Sequence, residues 1–199
     1  KPYWCLGMLQ TKRHGFSNII GHATGVENLT SLSDWSAKTL MRTLNWDDLD
    51  WIIKRWGGKV ILKGIQDVED AKMAVKTGAD AIIVSNHGGR QLDGALSSIR
   101  SLPSIIDAVG DQIEVWMDGG IRSGQDVAKA VSLGAKGVMI GRPFIYGLGA
   151  MGQKGVSKAL DIIHKELDTT MALCGERNIT NMSRDNLLIP KDFRGDWEK

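Results

Sequence analysis

Residues 74–84 are AVKTGADAIIV and residues 130–140 are AVSLGAKGVMI, so the second stretch echoes the first at an offset of 56 residues. In both, the end of a helical pattern passes through Gly-Ala into a short apolar run that is typical of a buried strand. A helix-to-strand corner repeated at this distance indicates equivalent βα units. The echo favours an α/β barrel. A doubly wound sheet is the alternative, although no GxGxxG follows the first strand.

Strand and helix patterns alternate around these two stretches, from residue 45 onward. Asn45 is expected to cap a helix over residues 46–56 that Gly57 ends. Its apolar residues share one face and predict core contacts: Trp46, Leu49, Ile53 and Trp56. Apolar runs predict strands at residues 60–62, 81–85, 115–117 and 138–140. Further helices are expected over residues 67–77, 98–109 (interrupted near its start by Pro103), 125–133 and 156–173.

Short continuous apolar strands separated by helices are typical of a parallel sheet whose outer side is covered by the helices. Four βα units cannot close an eight-stranded barrel. Residues 45–199 therefore predict an α/β fold that is half of a TIM (β/α)₈ barrel, with the other four units absent or on another chain. Such a half would expose two sheet edges, which are sites of association.

Residues 1–44 differ from the rest because they are polar and rich in glycine, with no acidic residue before Glu27. We expect them to form one long loop. A loop of this length is uncommon in a compact domain and indicates a functional segment. The opening of this segment is basic and contains aromatic residues: Lys1, Lys12, Arg13, Tyr3, Trp4 and Phe16.

The composition limits the classes of function. A net charge of +2 over 199 residues with 42% hydrophobic residues suits a soluble globular domain and argues against a nucleic-acid partner. Cys5 and Cys174 form no metal-binding pattern, so we expect buried thiols in a reducing compartment and no metal site. No apolar run reaches the roughly 18 residues of a membrane span, and no signal peptide opens the chain. These features predict a cytoplasmic protein.

The unusual polar residues follow the predicted strands, and the carboxyl ends of barrel strands form the active-site face. Lys63 closes the first strand, Ser85 to Arg90 follow the second, Asp118 to Arg122 the third, and Gly141 with Arg142 the fourth. Any one of these residues could be an ordinary polar loop residue without a functional role. Together, at the correct ends of four strands, they predict one site.

His87 and Arg90 suggest the chemistry of that site. A histidine is the natural general base near neutral pH, and an arginine can bind a carboxylate through two parallel hydrogen bonds. An anion with a proton to lose beside its carboxylate fits this pair, as a 2-hydroxy acid does. Lys63 could stabilise negative charge on a flavin, act as an aldolase-type Schiff-base lysine, or be a snorkelling surface lysine.

The glycines and arginines of the last two loops predict a phosphate site. Helix N-termini preceded by glycine attract phosphate, and the last two loops of a barrel often bind it. Gly141 and Arg142 would provide one part of this site and Arg122 another, while Asp118 could bind sugar-like hydroxyls. A simple helix start is the alternative for Gly141 and Arg142.

The stretch Ser85–Gly94, SNHGGRQLDG, resembles the active-site signature of the FMN-dependent L-2-hydroxy-acid dehydrogenases and oxidases. The likeness covers nearly the whole chain, as the C-terminal half of the family's barrel. It implies that His87 is the catalytic base and that Arg90 binds the substrate carboxylate. It also implies FMN as the cofactor, with Lys63 at the flavin edge, Ser85 near the flavin ring, and ribityl and phosphate contacts from Asp118, Gly119, Gly120, Arg122, Gly141 and Arg142.

The likeness is strongest to the bacterial L-lactate dehydrogenase branch, through Trp46–Ile52 and the Gly88-Gly89 pair. It implies oxidation of an L-2-hydroxy acid, with L-lactate the first candidate, in a homo-oligomer. Residues 1–44 take the place of the loop after barrel strand four, which contacts the membrane in membrane-associated members. Their basic, aromatic opening fits anionic lipid at the inner face of the cell membrane. A solvated or oligomer-contact loop is the alternative.

The family's N-terminal half supplies further flavin and substrate contacts. Residues 1–199 alone are therefore expected to bind FMN weakly, with negligible turnover, unless that half joins them. Several other functions stay open: an oxidase using O₂ like glycolate oxidase, an inactive half-barrel, an FMN isomerase, or a phosphate-binding aldolase. The last two have no need of His87 with Arg90. The pattern leaves open the electron acceptor (O₂, quinone or cytochrome) and whether hydride transfer or a carbanion route operates.

Overall fold

The computed structural model describes residues 2–11, 16, 18–19, 22–27, 29–39 and 43–193. The chain divides into two compact units, Lys1–Asn45 and Trp46–Lys199. The first unit contains helices α1 (Pro2–Gln10) and α2 (Leu29–Thr39). The prediction of one irregular loop over residues 1–44 is therefore wrong for these two segments. Pro2 lies in a first helical turn, where proline is favoured, and residues 29–39 contain neither glycine nor proline.

The second unit alternates helices and strands in the order predicted from the sequence. Its helices are α3 (Asp47–Trp56), α4 (Val68–Thr77), α5 (Ser98–Val109), α6 (Gly124–Ser132), α7 (Arg142–Met151) and α8 (Gln153–Leu173). Its strands are β1 (Ile61–Ile65), β2 (Ala81–Val84), β3 (Glu114–Asp118) and β4 (Gly137–Met139), and 3₁₀ turns follow at Ile179–Asn181 and Arg184–Asn186. Helix α5 continues through Pro103, contrary to the prediction, because proline there removes only one helical N–H and its ring is buried.

The four strands form one parallel sheet in the order β1-β2-β3-β4. Right-handed crossovers in a sequential order place all the connecting helices on the same face. A doubly wound sheet reverses its strand order, so this topology supports the barrel and argues against the alternative. Strands β1 and β4 are the outer strands, and each has one edge without a strand neighbour among the described residues.

The core lies between this sheet and helices α4 to α6. Ile82, Leu102 and Ile105 are fully buried there, and burial of such a side chain contributes about 1.5–3 kcal/mol. Burial alternates along β3, where Val115 and Met117 are buried and the residues between and beside them are not. One face of the sheet is thus packed and the other is only partly covered, as expected of an open half-barrel.

Helix α3 and strand β1 are more exposed than predicted. The N-cap of α3 is Trp46, so the prediction of Asn45 as the cap is wrong. Gly57 ends α3 in the left-handed conformation, which confirms the predicted stop. Trp56 is 68% exposed and Ile61 is 51% exposed, although both were expected in the core. They lie next to or within the outer strand β1, which lacks a second strand neighbour in the described part of the chain.

An ion pair joins the start of β1 to the start of β2. Lys59 Nζ lies 2.5 Å from Asp80 Oδ1, and the Val60 N–H donates to Asp80 Oδ2 at 2.8 Å. The hydrogen bond with Asp80 raises the pKa of Lys59, and the same bond lowers the pKa of Asp80. The ion pair therefore stops contributing to the stability of the fold when the pH falls through the folded-state pKa of Asp80, or when it rises through the folded-state pKa of Lys59. Lys59 is exposed and Asp80 is partly exposed, so water screens the attraction.

Other sequence-based expectations concern the cysteines and metal sites. Cys5 and Cys174 are free but exposed, so the prediction of buried thiols is wrong. Cys5 lies in α1, whose side chains are all exposed, and Cys174 follows the end of α8. Among the described residues, no three or more His, Cys, Asp or Glu side chains are grouped to hold a metal. No helix in the described ranges has the length and apolar character needed to cross a membrane.

Candidate active site

The carboxyl ends of the four strands lie on one rim of the sheet, where a cleft of about 290 Å³ opens. Every site residue predicted from the sequence except Ser85 lines this cleft: Lys63, His87, Arg90, Asp118, Gly119, Gly120, Arg122, Gly141 and Arg142. Ser85 lines an adjoining cavity, and Lys63 and His87 belong to both. Residues that follow or lie in four different strands therefore share one continuous surface.

Lys63 connects the carboxyl ends of three strands. It lies within β1 rather than at its end, because β1 continues to Ile65 past a register shift at Gly64. Its Nζ is 2.8 Å from Asp118 Oδ2, at the end of β3, and donates a 2.8 Å hydrogen bond to Ser85 Oγ, just after β2. These contacts hold the ammonium group at the cleft and argue against a freely solvated surface lysine.

Only one of the two carboxylate oxygens of Asp118 has a partner within the described part of the protein. Its Oδ2 pairs with Lys63, whereas Oδ1 is buried and has no hydrogen-bond partner among the described residues. A buried acceptor left without a donor costs about 1–3 kcal/mol, so a ligand hydroxyl at this place would be favoured. Gly119 and Gly120 follow with φ angles of 86° and 85°, which only glycine adopts readily. This corner suits a ligand that carries hydroxyl groups.

The loop after β2 adopts an unusual backbone conformation. His87 has a φ of 57°, the one left-handed non-glycine residue in the described part of the chain, and Gly88 and Gly89 continue in that region. Asn86 fixes the loop, because its Oδ1 accepts from the Gly89 N–H and its Nδ2 donates to the Leu96 carbonyl, each at 3.2 Å. Asn86 was not singled out from the sequence, although asparagine in a glycine-rich turn is typical of such a role.

Helix α6 begins at the cleft, but its first turn is already satisfied. The Asp126 carboxylate accepts from the N–H groups of Arg122 and Ser123 at 3.0 and 2.9 Å, and Ser123 Oγ accepts from the Asp126 N–H. The Gly124 N–H donates to Glu166. The Ser-x-x-Asp spacing of this capping box was readable from the sequence and was missed. Arg122 therefore meets a ligand with its side chain rather than its N–H.

Helix α7 also begins at the cleft, and it has no side-chain cap. Its first-turn N–H groups have no carbonyl partner within the helix, so this end suits an anion better than the start of α6. Arg142 begins the helix, and its Nη2 donates to the Gly88 carbonyl at 3.2 Å. A Cβ on Gly88 would lie 3.1 Å from that guanidinium group. The start of α7 at Gly141 and Arg142, which we call the anion-binding corner, thus contacts the loop that carries His87.

The charges of the cleft favour anionic ligands. Four cationic side chains and one carboxylate line it: Lys63, Arg90, Arg122, Arg142 and Asp118. Clustered positive charge raises the local concentration of anions, and arginine binds phosphate or carboxylate in a bidentate manner. The surface therefore suits a ligand with a phosphate and a second ligand with a carboxylate.

The family model for FMN-dependent dehydrogenases matches residues 1–189. The chain belongs to this family. Among curated proteins, the chain is similar to an L-lactate dehydrogenase of Azorhizobium caulinodans, with 49% identity over 188 residues. The match covers 94% of the chain and 50% of the relative, so the chain spans about half the length of the curated relatives it matches.

Solved structures of mandelate enzymes show the same fold. The chain superposes on (S)-mandelate dehydrogenase, a monotopic membrane protein, with a TM-score of 0.81 and 34% identity over 94% of this chain and 49% of that one. A mandelate oxidase variant with an FMN adduct gives a TM-score of 0.68 and 45% identity over 71% of this chain and 45% of that one. The coverage and the sequential parallel sheet confirm the prediction of half a TIM (β/α)₈ barrel.

Proposed function

We propose that this chain forms the active-site half of an enzyme that oxidises an L-2-hydroxy acid to the 2-keto acid, with L-lactate as the first candidate. The observation that carries the proposal is the single cleft shared by His87, Arg90 and the anion-binding corner at Arg142. The relatives support the substrate class, because lactate and mandelate are both 2-hydroxy acids.

Each residue of the cleft has a distinct role in the proposed reaction. Arg90 binds the substrate carboxylate through paired hydrogen bonds, and His87 accepts the proton of the substrate hydroxyl. FMN, when bound, supplies the acceptor for the C2 hydrogen and two electrons, which leaves the carbonyl of the keto acid. Lys63 places a positive charge beside the cofactor site. The residues that would hold the cofactor are Ser85, Asp118, Gly119, Gly120, Arg122, Gly141 and Arg142.

An N-terminal half-barrel is part of the proposal. Strands β1 and β4 each have one edge without a strand partner among the described residues, and Ile61 of β1 and Met139 of β4 are exposed. Four further strands would pair with these edges and close the barrel. The relatives are about twice as long as this chain, which supports the same arrangement. A homo-oligomer stays a prediction from the family resemblance.

The test is anaerobic reduction of bound flavin. Residues 1–199 assembled with an N-terminal half-barrel are expected to contain FMN and to lose their visible flavin absorbance on addition of L-lactate, more slowly with glycolate or L-mandelate. Residues 1–199 alone are expected to bind FMN weakly and to show negligible turnover. FMN-containing protein that none of the three acids reduces would contradict the proposal.

Two further measurements separate the alternative enzymes. Rapid peroxide formation under air would identify an oxidase that uses O₂, whereas its absence alongside reduction of a quinone would identify a dehydrogenase. Borohydride trapping of a substrate on Lys63 would support an aldolase, for which the lysine must form a Schiff base. The contacts of Lys63 with Asp118 and Ser85 favour its role beside a cofactor.

We also propose peripheral contact between the first unit and anionic lipid at the inner face of the cell membrane. Helix α1 contains no charged residue and exposes large apolar side chains: Tyr3, Trp4, Leu6, Met8 and Leu9. The adjacent basic residues Lys1, Lys12 and Arg13 lie outside the described residues, and their charges come from the sequence alone. The similarity to a monotopic membrane enzyme over 94% of the chain supports this proposal.

Replacing Leu9 with Asp is expected to weaken binding to vesicles that contain an anionic phospholipid at least about tenfold, because inserting one leucine contributes about 1.5–3 kcal/mol. Co-sedimentation with anionic and with zwitterionic vesicles measures the effect. Leu173→Asp is the matched control, because Leu173 is 85% exposed and Leu9 is 84% exposed, but Leu173 lies at the end of α8. Equal binding by the two variants would contradict the proposal and favour a solvated or oligomer-contact segment.

A further inference from the structure

Ser85 lies beside the cleft, in the adjoining cavity that shares Lys63 and His87 with it. It directly follows β2 and is only 3% exposed. Its Oγ accepts two hydrogen bonds, one from Lys63 Nζ at 2.8 Å and one from the backbone N–H of His87 at 3.1 Å. Lys63 in turn pairs with Asp118. A continuous polar chain therefore runs from Asp118 at the end of β3 to the backbone of His87.

The backbone of His87 needs such support. A left-handed conformation is disfavoured for any residue with a Cβ and persists only where the surroundings hold it. Asn86 fixes the loop at Gly89 and Leu96, on either side of Arg90 in the sequence, while the Ser85 hydroxyl holds the N–H of His87 itself. The direction of the imidazole depends on this backbone conformation.

We propose that Ser85 is a positioning residue for His87. The Lys63 ammonium orients the Ser85 hydroxyl, and that hydroxyl holds His87 in the left-handed conformation that presents its imidazole to the cleft. This inference rests on the proposed function, in which His87 is the base. It also limits how Ser85 can contact a cofactor. Both lone pairs of the hydroxyl are used by Lys63 and His87, so only its own proton remains to be donated.

Three substitutions test this role in the FMN-containing protein with both halves of the barrel present. Ser85→Ala and Ser85→Cys are expected to lower the limiting rate of flavin reduction about 10–100-fold, because they remove or weaken the acceptor. The KM for L-lactate should change less than about twofold, because Arg90 is untouched. Ser85→Thr retains the hydroxyl and should restore the rate to within about threefold. Cysteine is close to serine in size, so it remains informative if the alanine variant does not fold.

A second readout does not depend on turnover. Amide hydrogen exchange at His87 should accelerate at least tenfold in Ser85→Ala and Ser85→Cys, while the amides of Ile82 and Val84 in β2 remain protected. An unchanged rate of flavin reduction in both variants, or unchanged exchange at His87, would overturn the inference. A wild-type protein that no hydroxy acid reduces would overturn the proposed function instead, and the exchange measurement would still test the Ser85–His87 contact.

Discussion

Replacing His87 with Gln is expected to lower the rate of flavin reduction by L-lactate about 10²–10⁴-fold, the usual contribution of a general base. Glutamine is similar in size and forms hydrogen bonds, but its amide does not accept a proton near neutral pH. FMN should stay bound, because the proposed cofactor site is formed mainly by Lys63, Asp118, Arg122 and Arg142 and not by His87. Anaerobic rapid mixing measures the reduction rate, and the visible spectrum before mixing measures the FMN content.

His164→Gln is the matched control for this substitution. His164 is an exposed residue of α8 and lies outside both cavities that contain His87. The same chemical change there should leave the reduction rate unaltered. Reduction of His87→Gln at the wild-type rate would remove His87 from the mechanism, and loss of FMN from that variant would assign His87 to cofactor binding.

The placement of the site could be predicted because parallel strands end on a common rim. Lys63, His87 and Asp118 belong to three different strands or the loops after them, and the alternation of strands and helices is enough to bring those ends together. The position of Arg122, Gly141 and Arg142 on the same rim could be predicted by the same reasoning. The hydrogen bonds of Asn86 could not be predicted, because they join backbone groups whose positions a sequence does not reveal, whereas the capping box of Asp126 was readable and was missed.

The exposure of apolar residues could not be predicted in the same way. The spacing of Trp46 and Trp56 in α3 shows that they share a face of the helix, but it does not show whether the surface that covers this face belongs to the same chain. Trp46 packs against the core, while Trp56 at the end of α3 is exposed. An apolar pattern predicts burial in the complete assembly, and this chain matches half of its relatives' length.

The sequence indicates a helix start at Gly141 and Arg142, but the extent of helix α7 was missed because its local sequence argues against a helix. Gly147 and Gly149 lie within it, and each glycine costs about 1 kcal/mol relative to alanine in a helix. Tertiary packing compensates for this cost. The backbone of α7 at Gly147 lies directly against the backbone of α8 at Gly155, an approach that a side chain at either position would prevent. The close packing of α7 against α8 requires glycine at this point. The low helix propensity of this segment therefore does not indicate a loop.

Replacing Gly147 with Ala is accordingly expected to lower the free energy of unfolding by about 1–3 kcal/mol, because its Cβ would overlap with the carbonyl group of Gly155 and force α7 away from α8. Since α7 begins at Arg142, the displacement should also weaken FMN binding. Gly149→Ala is the control on the same helix, where a Cβ meets open space and should raise stability by about 0.5–1 kcal/mol. Denaturant unfolding and FMN titration of both variants measure these effects. Equal stability of the two variants would show that the close approach of α7 and α8 does not hold Arg142 at the cleft.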